Sequence, residues 1–369
     1  MRDLFITCPY GFEDLLQKEL KSLGIAKVFP SFCGVFVPKS MENVFVINYE
    51  SRIATRVLWP LAEFNCGGKE DLYSNCRKIN WSLFLNPQKT FAIDANVQHH
   101  SLTNSMFAAL VVKDSICDFF RDKTGLRPSI DTQQPDVQLN LFIAKGKATL
   151  YLDTSGAPLH KRGWRTESTE ASLHESLAAA LLLLTEYSAD KVLCDPFCGS
   201  GTFLIEAAWI ATKTPPGYLR KKWGFFSLPD FRIGEWKEYK QSRDNLRIPL
   251  AKGMIFGADK SRETTDICKK NILKANVPGI EISYNEVAYY KPSKKPNFLI
   301  TNPPYGKRLE TSSLLVEQLE TFIDEQLEPT RGIYILCPDT FTKEDLRHPV
   351  KAEFGFKNGG LPVKLLSLS

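Results

Sequence analysis

The sequence KVLCDPFCGSGTFLIEAAWIA, residues 191–211, decides the fold of the C-terminal half of this chain. An aliphatic run ends in Asp195, a turn with Gly199 and Gly201 follows, and apolar residues at helical spacing begin after Thr202. This order predicts a parallel strand, a glycine-rich turn and a helix, where a ligand can approach bare backbone at the helix N-terminus. The spacing matches neither GxGxxG nor GxxxxGK[ST], so it does not indicate a dinucleotide site or a P-loop.

A second stretch, NFLITNPPYGKRL at residues 297–309, also ends a predicted strand in polar residues. Asn302 follows the strand, and Pro303 and Pro304 fix an extended backbone before Tyr305. Taken alone, the first stretch also fits a tight structural turn between a strand and a helix. The two stretches together favour a ligand site at the ends of two strands.

The segments DPFCGSGTFLIEAA, GADKS and TNPPYGKRL resemble the motifs of class I S-adenosylmethionine-dependent methyltransferases that modify exocyclic amines. More narrowly, they are similar to those of the THUMP-containing RNA guanine-N2 methyltransferases, over the whole chain. The resemblance implies an α/β protein with three domains. These are a ferredoxin-like domain over residues 1–58, a THUMP RNA-binding domain over 59–158 and a Rossmann-like methyltransferase domain over 159–369.

Hydrophobic patterns along the chain predict the same organisation. The first 58 residues have the strand and helix order of a ferredoxin-like fold, with strands at 4–8, 27–29, 35–37 and 53–58. Further on, helices are predicted at 70–79 and 106–120, and strands at 91–97, 137–144 and 148–152. After residue 190 strands alternate with helices, which predicts a parallel sheet. The Asn358-Gly359 turn predicts a closing antiparallel hairpin.

Composition indicates a globular protein of two or three domains. The chain has 369 residues, 43% of them hydrophobic, and a net charge of +5. Nine cysteines without a CxxC pair favour neither a disulfide framework nor a zinc site, so no metal is expected. The longest apolar run, residues 177–184, is too short for a membrane span. We therefore expect a cytoplasmic monomer that does not bind a membrane.

The resemblance implies S-adenosylmethionine as the cofactor. Asp195 is expected near the cationic amino group, and the amides of the glycine turn near the amino-acid end. Asp259, at the end of the next strand, can accept the ribose hydroxyls, and Asn285 stands where relatives often have an acid for the adenine. The expected cofactor-binding residues are Asp195, Pro196, Cys198, Gly199, Ser200, Gly201, Thr202, Asp259, Lys260, Asn285 and Asn302.

The resemblance also implies the catalytic residues, which are Asn302, Pro303, Pro304 and Tyr305. The lone pair of an exocyclic amine is delocalised into its ring. Hydrogen bonds from the amine to the Asn302 side chain and the Pro303 carbonyl would turn that lone pair toward the methyl group. Pro304 keeps the backbone rigid, and Tyr305 can stack on a base flipped out of its helix.

Five further parts of the chain carry expectations. The THUMP resemblance implies RNA contacts through backbone and shape, with candidates Lys113, Arg121, Lys123, Arg127 and Lys145, whose alternative role is to keep the surface soluble. Residues 213–252 mix ten Lys and Arg with seven aromatics, which fits either unstacked RNA or an insertion whose aromatics pack on the domain. Residues 159–165 resemble the basic link that joins the two modules in this family, which implies a cation that can hold a phosphate near the mouth of the active site. Ser172 and Glu175 form a predicted capping box, and His99-His100 is interpreted as a solvated loop.

The implied function is methylation of the N2 amine of a guanosine in RNA, with 23S rRNA as the first candidate and tRNA as the alternative. DNA adenine-N6 and protein glutamine methyltransferases share the NPPY chemistry. The N-terminal domains and the KRL that follows NPPYG favour the RNA enzymes. A non-catalytic RNA-binding protein is a further alternative. The chain disfavours it, because it retains the motif residues Asp195, Gly199, Gly201, Asn302 and Tyr305.

Overall fold

The computed structural model describes residues 3–98, 102–167, 173–304, 312–341 and 346–369. These residues fold as two compact units. The first takes in the described residues of Met1–Cys8, Leu16–Leu159 and Arg220–Lys240. The second takes in those of Pro9–Leu15, His160–Leu219 and Gln241–Ser369.

The first sheet has eight strands in the order β2-β3-β1-β4-β8-β7-β5-β6. The elements of this part of the chain are β1 (Leu4–Thr7), α1 (Glu13–Ser22), β2 (Phe29–Ser31), β3 (Gly34–Val37), α2 (Met41–Glu50), β4 (Arg56–Asn65), α3 (Lys69–Arg77), β5 (Thr90–Gln98), α4 (Ser105–Thr124), β6 (Ser129–Ile130), β7 (Val137–Ala144) and β8 (Lys147–Asp153). Strand β4 pairs with β1 through Leu58 and with β8 as far as Asn65. It therefore crosses the predicted boundary at residue 58, which stays a prediction.

Two predicted strands near the N-terminus are displaced along the chain. Strand β2 lies at Phe29–Ser31 rather than 27–29, and β4 begins at Arg56 rather than at residue 53. The later start of β4 has a local cause, because the amides before it bind side chains. The Ile53 amide donates to Glu19 at 3.4 Å and the Ala54 amide donates to the Ser51 hydroxyl at 3.0 Å. Hydrophobic periodicity does not reveal such contacts.

The second sheet has seven strands in the order β11-β10-β9-β12-β13-β15-β14. The elements from residue 160 onward are α5 (Glu175–Leu184), β9 (Leu193–Asp195), α6 (Thr202–Ala211), α7 (Ile233–Asp244), β10 (Ile255–Asp259), α8 (Arg262–Ala275), β11 (Glu281–Tyr284), β12 (Phe298–Thr301), α9 (Ser312–Gln326), β13 (Gly332–Pro338), β14 (Val350–Asn358) and β15 (Leu361–Leu368). Strands β9 to β13 are parallel, and β14 and β15 form the antiparallel hairpin. The predicted doubly wound sheet with a closing hairpin is confirmed.

The position of β9 in this sheet determines where a ligand can bind. Its neighbours are β10 on one side and β12 on the other, so the strand order reverses at β9. Ligands of open α/β sheets bind at such a switch point, outside the carboxyl ends of the strands. Asp195, Asp259, Tyr284 and Thr301 end the four strands concerned and meet at this edge.

Residues 220–240 belong to the first unit, although they lie in sequence between α6 and β10 of the second. Their aromatic rings pack on α2. The ring centroid of Phe45 is 5.3 Å from those of Phe225 and Trp236, and Tyr49 is 5.4 Å from Trp236. The backbone at residue 224 lies so close to that of Asp153 that only glycine fits there. A Cβ on Gly224 would lie 2.0 Å from the Asp153 carbonyl oxygen. Within 220–240, the packing alternative of the sequence analysis therefore describes the buried aromatics.

The basic residues of the same segment remain on the surface. Lys221, Lys222, Arg232 and Lys237 are exposed. Arg220 differs, because its guanidinium donates to the carbonyl oxygens of Ser155, Ala157 and Pro158 at 2.7–2.8 Å. Across the described ranges, no helix has both the length and the apolar character that a bilayer crossing requires.

Candidate active site

The glycine turn that follows β9 is fixed by backbone hydrogen bonds. The Cys198 amide donates to the Ala258 carbonyl at the end of β10, and the Gly201 amide donates to the Cys198 carbonyl, both at 2.8 Å. Gly199 and Gly201 have φ of +54° and +87°. At Gly201 a Cβ would also lie 2.6 Å from Cys268 Sγ on α8. The turn therefore requires glycine for conformation and for packing, and helix α6 begins directly after it.

Asp259 lies directly against this turn. Its Oδ2 accepts the Gly199 amide at 3.1 Å, and its Oδ1 accepts the Ser261 amide at 2.9 Å. Each carboxylate oxygen has a second lone pair, so the group can still accept hydroxyl donors from a ligand. The structure thus brings together the predicted turn and the predicted ribose-binding acid. Lys260, the next residue, is exposed.

Asp195 is a buried carboxyl group at the switch point, with 2% exposure. Burial raises its pKa to about 7, and the nearby charge of Asp259 acts in the same direction. Two donors oppose that shift, the Thr301 hydroxyl at 2.6 Å and the Phe197 amide at 3.1 Å, and both bind Oδ1. No Lys, Arg or His of the described residues contributes to this shift. Such a carboxylate is suited to a cationic ligand.

The NPPY motif begins where β12 ends. Thr301, whose hydroxyl binds Asp195, directly precedes Asn302, which is half-buried. Pro303 is buried and Pro304 is exposed. Tyr305 lies outside the described residues. The Thr301 contact means that the candidate catalytic strand and the candidate cofactor site share one hydrogen bond.

The remaining cofactor candidates lie at the same edge. Pro196, Cys198, Ser200 and Thr202 are buried in and around the turn. The Asn285 amide donates to the Asp259 carbonyl at 3.2 Å, and its side chain donates to the Ser283 hydroxyl at 2.7 Å. Asn285 is therefore next to Asp259 at the sheet edge, and its contact with an adenine stays a prediction.

The cysteines of this region are packing residues. Burial raises the pKa of the Cys194 thiol, and the hydrogen bond with Cys268 together with burial raises that of Cys198. All nine cysteines are free thiols. Among the residues that the structure describes, no group of three or more His, Cys, Asp or Glu could hold a metal ion.

The predicted capping box of α5 is wrong. The helix begins at Glu175 with His174 at its N-cap, and Ser172 lies outside the described residues. The Glu175 carboxylate accepts the Arg165 Nε–H at 3.0 Å. The His99-His100 pair also lies outside the described residues.

Sequence analysis did not assign Arg165, Asn271 and Thr301 to the turn. Arg165 donates to Ser200 Oγ at 2.8 Å and Asn271 donates to the Ser200 carbonyl at 3.0 Å. The sequence did point to Arg165, since it lies in the basic link, but the partner expected there was a phosphate. Thr301 could have been found from its position directly before the NPPY motif. Asn271, inside a regular helix, carried no signal.

Three family models match consecutive parts of the chain. The RlmL ferredoxin-like domain matches residues 3–58, the THUMP domain matches 68–153, and the RMKL-like methyltransferase domain matches 162–347. The fold and the motifs at the strand ends thus define a class I methyltransferase domain preceded by ferredoxin-like and THUMP domains.

Similar proteins extend over the whole chain. A putative RNA methyltransferase of Synechocystis sp. is 33% identical over 99% of this chain and 96% of its own length. The ribosomal RNA large subunit methyltransferase K/L of Marinomonas sp. is 34% identical over 98% of this chain and 52% of its own length. The chain thus spans about half the length of the K/L relatives it matches. It belongs to the RMKL-like methyltransferase family.

A solved structure has the same overall fold. The putative methyltransferase SMU.472, crystallised with SAH, has a TM-score of 0.86 and 25% identity, over 99% of this chain and 97% of its own. The similarity therefore includes both the methyltransferase domain and the N-terminal domains.

Proposed function

We propose that this protein transfers a methyl group from S-adenosylmethionine to the exocyclic N2 amine of a guanosine in RNA, with 23S rRNA as the substrate. One observation carries the proposal. The NPPY motif begins beside a glycine turn, a buried carboxyl group and an acid suited to a diol, all at the switch point of one sheet.

The residues at this edge fit S-adenosylmethionine. Asp195 is the partner for the ammonium group. A buried carboxylate has lost the water that stabilises its charge, so a bound cation stabilises it strongly. The glycine turn packs against the amino-acid end, Asp259 accepts the ribose hydroxyls and Asn285 lies toward the adenine. When bound, the cofactor supplies a methyl group on a cationic sulfonium.

The protein's part in the transfer is to orient the amine. The side-chain oxygen of Asn302 and the carbonyl of Pro303 accept the two N–H groups, which turns the nitrogen lone pair toward the methyl group. Pro303 and Pro304 restrict φ and so keep these acceptors in place. The product loses its proton readily, so the mechanism requires no general base with a shifted pKa.

The first unit supplies the RNA surface in this proposal. The THUMP match supports it, and so does the exposure of Arg121, Lys123, Arg127 and Lys145. Lys113 is a weaker candidate, because it is half-buried. The names of the relatives support ribosomal RNA as the substrate.

The experiment that tests this proposal maps N2-methylguanosine by mass spectrometry in rRNA and tRNA, from cells with and without the gene. We expect one modified position of 23S rRNA to lose its methyl group. Loss from tRNA alone would transfer the proposal to tRNA. Unchanged methylation in both RNA pools, together with adenine methylation of DNA by the purified protein, would contradict it.

A further inference from the structure

Arg165 makes an unusually complete set of hydrogen bonds at the edge of the glycine turn. Its Nε donates to Glu175 at 3.0 Å, and Nη1 donates to Ser200 Oγ at 2.8 Å. Its Nη2 donates to Thr202 Oγ1 at 3.0 Å and to the Leu173 carbonyl at 3.1 Å. Four of the five N–H groups of the guanidinium thus have partners in the protein. A side chain so engaged is not arranged to bind a phosphate.

A second connection runs parallel to the first. The amide and the hydroxyl of Thr166 both donate to Asn271 Oδ1 at 2.9 Å, and Asn271 Nδ2 donates to the Ser200 carbonyl at 3.0 Å. Ser200 is therefore held through its side chain by Arg165 and through its backbone by Asn271. Both connections begin in the segment 165–166, which precedes α5.

These contacts act on one half of the site only. Arg165 binds Ser200 and Thr202, which flank Gly201, the residue that ends the turn and precedes α6. The other half, at Asp259 and Asn285, is joined to the turn by the Gly199 amide, which donates to Asp259, but Arg165 makes none of the hydrogen bonds of this half. In the proposed function the first half holds the amino-acid end of the cofactor and the second half holds the nucleoside.

We infer that Arg165 is a positioning residue that sets the turn for the amino-acid end of the cofactor, independently of the nucleoside end. This inference rests on the proposed function. A planar guanidinium can bind Ser200, Thr202 and Glu175 at once in fixed directions, whereas a lysine ammonium is a point charge on a flexible stem. Lysine at this position would keep the charge beside buried Glu175 but lose the fixed geometry at the turn.

Two ligands that differ only at the amino-acid end test this inference by calorimetric titration. S-adenosylhomocysteine has both ends, and 5′-methylthioadenosine has the nucleoside and thioether alone. For Arg165→Lys we expect the dissociation constant of S-adenosylhomocysteine to rise about five- to twentyfold, as for one or two lost hydrogen bonds. That of 5′-methylthioadenosine should change less than about twofold.

Two variants serve as controls. Asp259→Asn should weaken both ligands by similar factors, because it acts on the nucleoside. Glu175→Gln keeps an acceptor for Arg165 and should leave the ratio of the two constants unchanged. If Arg165→Lys does not fold, Ser200→Ala removes the same contact without a buried charge and should change the ratio in the same direction.

The outcomes are distinct. Equal weakening of both ligands by Arg165→Lys, or no weakening of either, would overturn the inference. A loss of RNA affinity with unchanged S-adenosylhomocysteine binding would make Arg165 a phosphate contact instead. If the wild-type protein binds neither ligand, the proposed function itself fails.

Discussion

Two stretches of the C-terminal half, residues 195–202 and residues 220–240, both carry residues typical of binding sites, but the structure uses them differently. In the first, polar side chains and glycines are held by hydrogen bonds of 2.6–3.1 Å at the carboxyl ends of the strands. In the second, Trp223, Phe225 and Trp236 are buried against one another and against α2. Aromatic and basic composition alone therefore does not identify a nucleic-acid site. Polar residues placed at strand ends are the better indicator.

The comparison predicts a large loss of stability when the packing of 220–240 is broken. Trp236→Ala should lower the free energy of local unfolding of α2 and α7 by about 3–5 kcal/mol, as for other buried tryptophans. Cofactor binding should be unchanged. Hydrogen exchange measures the opening, and Ile233→Ala, at a 52% exposed position of the same helix, is the control with little effect. Weaker RNA binding without faster exchange would instead make Trp236 an RNA contact.

The largest expected effect on chemistry lies at Asn302. Asn302→Ala removes an acceptor whose interaction strengthens as the amine nitrogen becomes positive, so transfer should slow by about 10²–10³. RNA and cofactor should bind nearly as in the wild type. Single-turnover methylation with both ligands saturating measures this step, and Asn302→Asp keeps an acceptor for comparison. A near-native rate would show that another group positions the amine.

A smaller effect, on the affinity for the cofactor, is expected from a substitution of Asp259. Asp259→Ala removes a charged acceptor and should weaken S-adenosylmethionine binding by about 1–3 kcal/mol. Titration calorimetry gives the value. Asp266→Ala removes an exposed acid from the following helix and controls for a general charge effect. An unchanged dissociation constant in folded Asp259→Ala protein would exclude this residue from the site.

The smallest expected effect is a dependence on pH. Because the pKa of Asp195 is raised to about 7, cofactor affinity should rise about tenfold from pH 6 to pH 7.5, as the carboxylate forms. Asp195→Asn keeps an acceptor for Thr301 and Phe197, so its affinity should be lower and nearly independent of pH. A pH profile of the variant that matches the wild type would assign the titration to another group.

Asp195 also affects the pH dependence of stability, in the direction opposite to its effect on cofactor affinity. The folded protein retains a proton on Asp195 that the unfolded chain releases above its ordinary pKa of 3.8. The contribution of Asp195 to the stability of the wild type should therefore fall from about pH 4 to pH 7 and then level off. Asp195→Asn should lack this part of the decline and be the more stable protein at pH 8.

Sequence patterns predicted the second unit well and parts of the first less well. Strands β9, β10 and β12 follow from aliphatic runs that end at Asp195, at Asp259 and just before Asn302, because both faces of the central strands of a parallel sheet are buried. The start of β4 was misplaced because two side chains, Ser51 close by and Glu19 distant in sequence, bind the amides before it. The roles of Arg165 and Asn271 could not be predicted, since each depends on contacts across 35 and 71 residues.

The placement of residues 220–240 in the first unit has a consequence for synthesis on the ribosome. The sheet of that unit is complete once β8 has emerged, but Phe45 and Tyr49 still lack the rings of Trp223, Phe225 and Trp236. At about 5–20 residues per second, the 81 residues from 160 to 240 take roughly 4–16 s to add. For that interval the nascent chain presents an apolar helix face, and the glycine turn is translated before that face is covered.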